Sequence, residues 1–311
     1  MTHSKQGLDI IHRWEGNPLI ELEDLPFKAN AVLNTGVACQ GDEVILLIRY
    51  EDLAGYSKFV VGRSKDGFHF EIENKPFMEP MKDGPYEEYE QLGIEDPRIT
   101  FLDGHYYILY TAHSNNGHRI GIARTKDFKS VERISLITEP DSKNGMLFPK
   151  KIDDKYCMLF RPAEGGNIWI AYSEDLVYWG DLRVAVENRG GGRWDGKRIG
   201  ASVPPIEIKE GWLLIYYGVK ETMGYDIFRL GACILDKEKP YKVIGRSGIP
   251  ILTPREPYER MGDVPNMVFS CGACVDHHTN ELRIFYGASH TCISLGTVPL
   301  QSIVDTCLGK E

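Results

Sequence analysis

The sequence repeats one pattern five times, and this repetition limits the fold more than any single motif does. In each copy a run such as 106–112 (YYILYTA) is followed, after a loop, by a second run such as 120–128 (IGIARTKDF). Both runs alternate large apolar residues with small or polar ones at a period of two, which predicts half-buried antiparallel strands. The five pairs of runs are 44–50 with 59–70, 106–112 with 120–128, 156–162 with 168–179, 212–218 with 227–236, and 282–288 with 292–298.

A segment before each pair predicts a third strand in every unit. These segments are 32–42, 94–104, 146–154, 203–211 and 269–281. Five units of three or four strands, at intervals of about fifty to seventy residues, predict an all-β chain folded as a five-bladed β-propeller. We expect this propeller to occupy residues 1–311 as a single domain, and no stretch predicts a long helix.

In a propeller the first strand of each blade lines the central channel. Residues at the starts of those strands should therefore converge although they are distant in sequence. The candidates are Asn34, Asp96, Pro149, Pro204 and Ser270. Polar groups that converge at one end of a channel are the first place to look for a binding site.

Composition excludes several classes of partner. A formal net charge of −9 argues against a nucleic-acid surface, which needs a basic face. No run of 18 apolar residues predicts a membrane span, and residues 1–24 lack the apolar region of a secretory signal. Seven cysteines without such a signal indicate reduced thiols. We therefore expect a cytoplasmic protein with neither a nucleic-acid nor a membrane partner.

The segment 93–98 (GIEDPR) is the sharpest local motif. Pro97 has no N–H to contribute to a strand ladder, so we expect an irregular strand there. One interpretation is a surface turn in which Asp96 accepts hydrogen bonds from nearby backbone amides. The other is a carboxylic acid aimed into the channel beside Arg98. Burial and the neighbouring carboxylate of Glu95 would then raise the pKa of Asp96 and keep its proton at neutral pH.

Seven short strings follow one another in a consistent order: 93–100 (GIEDPRIT), 143–149 (KNGMLFP), 161–162 (RP), 194–200 (WDGKRIG), 204–206 (PPI), 211–213 (GWL) and 286–288 (YGA). Together they resemble glycoside hydrolase family 130, which comprises β-mannoside phosphorylases and a minority of β-mannosidases. The resemblance runs almost from end to end of the chain. The family fold is a five-bladed propeller, which agrees with the fold expected from the repeats.

The resemblance implies a substrate and an acid. Asp96 would be the general acid, delivering its proton through a mannosyl hydroxyl to the glycosidic oxygen. Asn34, Thr35 and Arg49 match positions that hold the mannosyl unit, and Glu95 stands beside the acid. The substrate would be a short manno-oligosaccharide or a mannosyl-glucose.

The resemblance also implies a phosphate pocket, at Lys143, Asn144, Arg161 and Arg198. Inorganic phosphate, as co-substrate, would attack opposite the leaving sugar and give α-mannose 1-phosphate with inversion. A phosphate nucleophile needs no carboxylate base. We expect no metal and no organic cofactor. From the resemblance to the family we also expect a homo-oligomer.

The chain departs from the family pattern at two positions. Tyr217 stands where many family phosphorylases have His, and a tyrosine can still donate a hydrogen bond to phosphate without carrying charge. His290 stands where the family has an Asp that binds mannosyl hydroxyls, so the identity or linkage of the sugar is open. Trp194, which opens the WDGKRIG string, is the aromatic residue that we expect to stack on a sugar.

Two other functions remain open at this point. A β-mannosidase would use water as nucleophile, with Glu207, Glu221 or Glu259 as base, although the retained cations argue against it. A non-catalytic carbohydrate-binding propeller is the third reading, because a fold does not determine a function.

A metal site is not expected. The C-x-x-C spacing of Cys271 and Cys274 has no second half, and we interpret it as a strand with two buried thiols.

Overall fold

The computed structural model describes residues 9–310, and within them the chain is almost entirely β. It begins with a two-residue strand, β1 (His12–Arg13), which pairs with the last strand of the chain. The first eight residues of the segment examined for a secretory signal lie outside the described residues. Among residues 9–310, no helix combines the length and the apolar character that crossing a membrane would take.

The first two units form one hydrogen-bonded sheet, order β2-β3-β4-β6-β7-β8-β9, with β5 paired to β4. The first unit contains β2 (Ala31–Gln40), β3 (Glu43–Glu51), β4 (Ser57–Ser64) and β5 (Glu71–Ile72). The second contains β6 (Gly93–Leu102), β7 (His105–Ser114), β8 (Gly117–Thr125) and β9 (Glu132–Leu136). In the described part of the chain, a single parallel strand pair, Ser57 with Gly93, joins the backbones of the two units. The sheet is therefore two antiparallel units in contact at a corner.

The other three units are separate sheets. The third contains β10 (Ser142–Leu147), β11 (Tyr156–Pro162), β12 (Ile168–Ser173) and β13 (Gly180–Val186). The fourth contains β14 (Arg198–Ala201), β15 (Ile206–Ile208), β16 (Gly211–Lys220), β17 (Ile227–Leu235) and β18 (Val243–Arg246). The fifth contains β19 (Val268–Asp276), β20 (Glu281–Ala288) and β21 (Cys292–Pro299), and β1 supplies its outer strand.

Five apolar clusters lie where successive units face each other. Phe59 and Tyr110, for example, belong to a cluster shared by the first and second units. Further clusters join the second unit to the third, the third to the fourth, and the fourth to the fifth. The last cluster joins the fifth unit to the first, through Phe285 and Val60. Every unit therefore buries both of its faces, which explains why central strands such as β16 are apolar on both sides.

The ten paired runs seen in the sequence correspond to strands. Two of the third-strand expectations need correction. In the third unit the strand is β10, four residues before the expected 146–154, and in the fourth unit it is divided between β14 and β15. Pro149 and Pro204 consequently lie outside strands.

Helices are few and short. Within residues 9–310 the α-helices are α1 (Glu87–Glu90), α2 (Pro257–Arg260) and α3 (Leu300–Leu308), and there are 3-10 helices at Leu22–Asp24 and Gly84–Tyr86. The nine-residue α3 was not expected from the sequence; it buries Ile303, Val304 and Cys307 against the outer strands of the last units.

Candidate active site

The first strands of four units are irregular where candidate site residues occur. Their register shifts lie between Val32 and Thr35, Glu95 and Arg98, Lys143 and Met146, and Ser270 and Gly272. A bulge interrupts the ladder and changes the direction of the side chains within it. Asn34, Asp96 and Asn144 all lie inside such shifts.

Three candidate residues also have left-handed backbone conformations. The φ angles are 52° at Asp96, 59° at Asn144 and 59° at His290. Non-glycine residues seldom adopt this region, and Asp and Asn do so most readily. Backbone strain of this kind concentrates at functional sites. The expected irregularity before Pro97 is therefore present, and it belongs to a buried strand rather than to a surface turn.

Asn34, Arg49, Glu95 and Asp96 form a hydrogen-bonded group that we call the acid cluster. Nδ2 of Asn34 donates to Oδ1 of Asp96 at 2.7 Å, and Nη1 of Arg49 donates to the same oxygen at 2.8 Å. Nη2 of Arg49 reaches Oε1 of Glu95 at 3.0 Å, and its Nε donates to Oγ of Ser57 at 2.9 Å. Adjacent strands of two units thus bring together four residues predicted from the sequence.

The electrostatics of the acid cluster differ from the expectation. Burial disfavours the charged form of Asp96, and Glu95 acts in the same sense, but Arg49, Arg98 and Lys143 outweigh both, so the pKa of Asp96 is lowered. Burial likewise opposes ionisation of Glu95, yet Arg49, His113 and Lys143 hold its pKa well below the usual value. The expected rise in the pKa of Asp96 is therefore wrong for the ligand-free protein, because Arg49 contacts both carboxylates.

The fifth unit closes over the acid cluster. A Cβ at Gly287 would lie 2.3 Å from Oδ1 of Asn34, so only glycine allows this approach. Oδ1 of Asn34 is buried and has no hydrogen-bond partner among residues 9–310. Burial lowers the pKa of His290, and Arg49 adds to the effect, while Asp96 and Glu95 oppose it. His290 therefore lies within electrostatic reach of the cluster. Thr35, which follows Asn34 in the sequence, is also buried, and its Oγ1 donates to the carbonyl of Gly36.

A second group, the cation cluster, consists of Lys143, Asn144, Arg161, Arg198 and Tyr217. Nε of Arg161 lies 3.2 Å from Oδ1 of Asn144 and 3.1 Å from Oη of Tyr217. The Tyr217 hydroxyl donates to the same amide oxygen at 2.9 Å. Among residues 9–310, Arg161 bonds only to these two groups and to the carbonyl of Pro162. It is a partly buried guanidinium with no neutralising carboxylate there.

Lys143 and Arg198 have acidic partners. Nζ of Lys143 lies 3.2 Å from Oε2 of Glu95, which joins the cation cluster to the acid cluster. Arg198 lies 3.5 Å from Asp226 and also over the ring of Phe228. All five residues predicted for phosphate therefore belong to neighbouring strands of the third and fourth units.

Within residues 9–310, Trp194 hydrogen-bonds to neither cluster. Its ring stacks on Tyr216 with centroids 5.6 Å apart, and its Nε1 donates to the carbonyl of Gly248. Arg189 covers the ring at 5.4 Å. The ring thus packs within the fourth unit, and the expectation that Trp194 stacks on a sugar stays a prediction.

The three carboxylates considered as a hydrolytic base are engaged elsewhere. Glu259 is fully buried and pairs with Arg13 at 2.8 Å. Glu207 pairs with Lys150 and Lys237, and Glu221, largely exposed, pairs with Lys197. Within residues 9–310, none of these three carboxylates forms a hydrogen bond with the acid cluster or the cation cluster.

Sequence reasoning missed two histidines at the site. His113 and His118 face each other across the β7–β8 hairpin, with rings stacked at 4.3 Å. Nδ1 of His113 lies 3.2 Å from Oε1 of Glu95, and Nδ1 of His118 lies 3.2 Å from Oδ1 of Asp141. The signal was available, because an Asn-Gly turn between two alternating runs predicts a tight hairpin and hence paired flanking residues.

Glu95, His113 and His118 are also the residues most able to hold a metal ion in the described part of the chain. Their ligand atoms lie within 4.8 Å of one another. Glu95, however, already contacts Arg49 and Lys143, which neutralise it.

Comparison with known proteins gives one consistent result. The family model described as beta-1,4-mannooligosaccharide phosphorylase matches residues 5–308. The chain is 34% identical over 306 residues to the beta-1,4-mannooligosaccharide phosphorylase of Ruminococcus albus, covering 96% of this chain and 90% of that protein. It is 36% identical over 283 residues to the 1,2-beta-oligomannan phosphorylase of Thermoanaerobacter sp. strain X514, covering 88% and 91%.

A solved structure shows the same likeness in three dimensions. The beta-1,2-mannobiose phosphorylase of Listeria innocua, in complex with beta-1,2-mannobiose, superposes with a TM-score of 0.87 at 30% identity. The match covers 96% of this chain and 99% of that one. The arrangement of strands that brings the two clusters together is thus shared along nearly the whole length.

Proposed function

The chain belongs to glycoside hydrolase family 130, and we propose that it is an inverting β-mannoside phosphorylase. Its substrate is a short manno-oligosaccharide or a mannosyl-glucose, and its products are α-mannose 1-phosphate and the shortened sugar. The relatives are named phosphorylases of β-1,4- and β-1,2-linked mannosides, so the class of reaction is common to them while the linkage varies.

One observation carries the choice of phosphate as nucleophile. Arg161 lacks a carboxylate partner among the described residues and is surrounded by the Asn144 amide and the Tyr217 hydroxyl. A partly buried guanidinium is stabilised by an anion, and its fork suits two phosphate oxygens. A hydrolase would need a carboxylate base at this position instead, and Glu207, Glu221 and Glu259 are all engaged elsewhere.

The acid cluster supports a site for the mannosyl unit. The unpartnered Oδ1 of Asn34 can accept a hydrogen bond from a sugar hydroxyl, and Arg49 can donate to ring substituents. Asp96 gives its proton through a mannosyl hydroxyl to the glycosidic oxygen. A phosphate oxygen attacks the anomeric carbon from the opposite face, the bond to the leaving oxygen breaks, and the configuration inverts. The proton of the attacking phosphate replaces the one that Asp96 has given.

Arg49 opposes the protonation of Asp96 on which this step depends. Phosphorolysis begins with protonated Asp96, whereas the ligand-free protein holds it as a carboxylate. Protonated Asp96 is favoured when the contact of Arg49 with Asp96 weakens, and in the ligand-free protein Arg49 also contacts Glu95. Synthesis, the reverse reaction, begins with ionised Asp96 and ends with Asp96 protonated, so it passes through the same protonated state.

We propose in addition that the five units close into a five-bladed propeller. The apolar cluster that joins the fifth unit to the first supports closure, as does β1, which adds the beginning of the chain to the last sheet. The proposed reaction uses inorganic phosphate as co-substrate and no metal or organic cofactor. A single domain, a homo-oligomer and a cytoplasmic location stay predictions.

Product analysis tests the proposal. The purified protein is incubated with β-1,4- and β-1,2-mannobiose, with and without phosphate, and the products are identified by NMR. We expect α-mannose 1-phosphate only when phosphate is present. Free mannose in the absence of phosphate would establish hydrolysis instead, and binding without turnover would establish a non-catalytic module. Asp96→Asn should lower turnover by about 10²–10⁴-fold, the usual contribution of a general acid.

A further inference from the structure

A groove between the second and third units leads away from the site. Its volume is ≈ 880 Å³, within the range of small-molecule binding sites. One wall comes from the end of β9 and the loop after it, and the other from the face of β11 and β12. Residues that characterise this side groove are Thr138, Asp141, Phe160, Glu164, Trp169 and Tyr178.

The inner end of the side groove adjoins the cation cluster. Ser142 and Pro162, which line the groove, are paired across β10 and β11. The next pair in the same register is Lys143 with Arg161. Because side chains alternate along a strand, the groove and Arg161 lie on opposite faces of the third unit at its inner end.

A chain of contacts also connects the side groove to the acid. Glu95, next to Asp96, contacts His113 at 3.2 Å, and His113 stacks on His118. His118 contacts Asp141 at 3.2 Å, and Asp141 lines the groove. Both histidines are partly exposed, so their free ring nitrogens can contact a ligand. Polar groups thus run without interruption from the catalytic carboxyl to the groove.

The lining suits a carbohydrate. Tyr178 is 80% exposed and Leu182 56% exposed, and they accompany Trp169 and Trp179. Sugar rings present apolar C–H faces to aromatic side chains and hydroxyls to carboxylates and backbone groups. The rim supplies such acceptors in Asp141, Glu139 and Glu164.

The direction in which the leaving sugar extends follows from the inversion of configuration at the anomeric carbon. The nucleophile and the leaving group stand on opposite faces of the anomeric carbon. Arg161 and Tyr217 bind the nucleophile at the boundary of the third and fourth units. Asp96, which protonates the leaving oxygen, belongs to β6 of the second unit. The leaving sugar therefore extends toward that unit, where the side groove begins.

We propose that the side groove binds the leaving-group end of β-mannooligosaccharides longer than a disaccharide. This inference rests on the proposed function and deepens it, since it makes the protein selective for chains over mannobiose. His113 and His118 contact the first leaving sugar, and the aromatic residues around Tyr178 contact those beyond it.

Chain-length kinetics test the inference. The ratio of kcat/KM for mannotetraose to that for mannobiose of the same linkage is measured for the wild type, Tyr178→Ala and Glu164→Gln. We expect a wild-type ratio well above one and a fall of about tenfold in Tyr178→Ala, the size of a lost aromatic contact. Both residues are exposed, so folding should survive, and thermal unfolding checks this. Phe101→Ala is the matched control, because Phe101 is exposed at the far end of β6 from Asp96.

The outcomes separate this inference from the proposed function. If no mannoside gives mannose 1-phosphate, the proposed function fails. If mannobiose is phosphorolysed but the wild-type ratio is near one, or Tyr178→Ala leaves it unchanged, the side groove is not a subsite. A change of oligomeric state in Tyr178→Ala with an unchanged ratio would make the groove an interface between copies and overturn the inference.

Discussion

Nη1 of Arg49 lies 2.8 Å from Oδ1 of Asp96, and this contact sets the charge of the site. The same guanidinium reaches Glu95, and all three side chains are about nine-tenths buried. Two adjacent carboxylates are tolerated there because one cation serves both. The site is therefore an ion-pair network whose stability depends on pH.

Replacing Arg49 by Met should destabilise the protein by about 3–5 kcal/mol, the usual cost of removing one partner from a buried pair. Glu95 and Asp96 have lowered pKa values in the folded wild type, so their contribution is complete above their ordinary values of 4.5 and 3.8. It is lost as the pH falls through the lowered values. In the variant the two carboxylates repel each other at neutral pH and their pKa values rise.

Urea unfolding of Arg49→Met between pH 4 and pH 8 measures this effect. The difference in unfolding free energy between variant and wild type should be largest near neutral pH. It should shrink toward about pH 4 as Glu95 and Asp96 of the variant gain protons. Arg124→Met is the control, because Arg124 forms an exposed pair with Glu132, and such pairs contribute about 0–1 kcal/mol. A difference that does not vary with pH would show that Arg49 acts by packing rather than by charge.

Tyr217→Phe should raise the KM for phosphate about tenfold or more while changing the KM for the sugar much less. A hydrogen bond to a charged group contributes about 1.5–3 kcal/mol, and the hydroxyl also orients Asn144. Steady-state kinetics with each substrate varied in turn measure both constants. Tyr107→Phe, a buried tyrosine on β7, should leave both unchanged. Equal changes in the two constants would mean that Tyr217 lies between the substrates instead of at phosphate.

Glu259→Gln should lower stability by about 3–5 kcal/mol without removing the chemistry. Glu259 accepts from Arg13 at 2.8 Å and 2.9 Å and from the Tyr286 hydroxyl at 2.9 Å. It thereby holds β1 to the last unit. Turnover below the melting temperature should stay near the wild-type value, and Glu221→Gln, at an exposed carboxylate, serves as control. Loss of turnover in a stable Glu259→Gln protein would instead support the hypothesis that Glu259 is the base of a hydrolase.

The strands could be predicted because alternation at period two survives in most of them. It fails at β10, where Asn144 has a left-handed φ and the register shifts between Lys143 and Met146. The deviation that hid this strand from sequence analysis is the one that aims Asn144 at Arg161. Helix α3 escaped notice because nine residues give few periods and its burial depends on neighbouring strands.

The candidate site was only partly readable for a related reason. Asp96 and the cationic residues lie in unusual sequence strings and could be recognised there. Their contact partners, however, belong to other units that are far away in the sequence. That Arg49 would serve both carboxylates, and so reverse the expected change in the pKa of Asp96, depends on a contact between β3 and β6. Trp194 stacks on Tyr216 within its own unit, a contact that its position beside a site string does not reveal.

Cys39 should be the first thiol to react with iodoacetamide. Strands β2 and β19 lie so close that a Cβ at Gly272 would come within 2.5 Å of the Val37 backbone. Two residues further along each strand are Cys39 and Cys274. A hydrogen bond from Cys274 lowers the pKa of the exposed Cys39 to about 7, against the effect of burial. The thiolate is the reactive form, so the lowered pKa makes Cys39 more reactive at neutral pH than an ordinary thiol.

Brief alkylation at pH 6, 7 and 8, followed by peptide mass mapping, measures this reactivity. The rate at Cys39 should rise through pH 7 and level off, whereas buried thiols such as Cys233, whose pKa is raised by burial, should stay unmodified. Cys274→Ser weakens the donor to Cys39 and should shift the midpoint upward, while Cys307→Ser should not. Labelling of Cys307 or Cys292 ahead of Cys39 would show that access and not thiolate character decides the order, because both are buried thiols with raised pKa values.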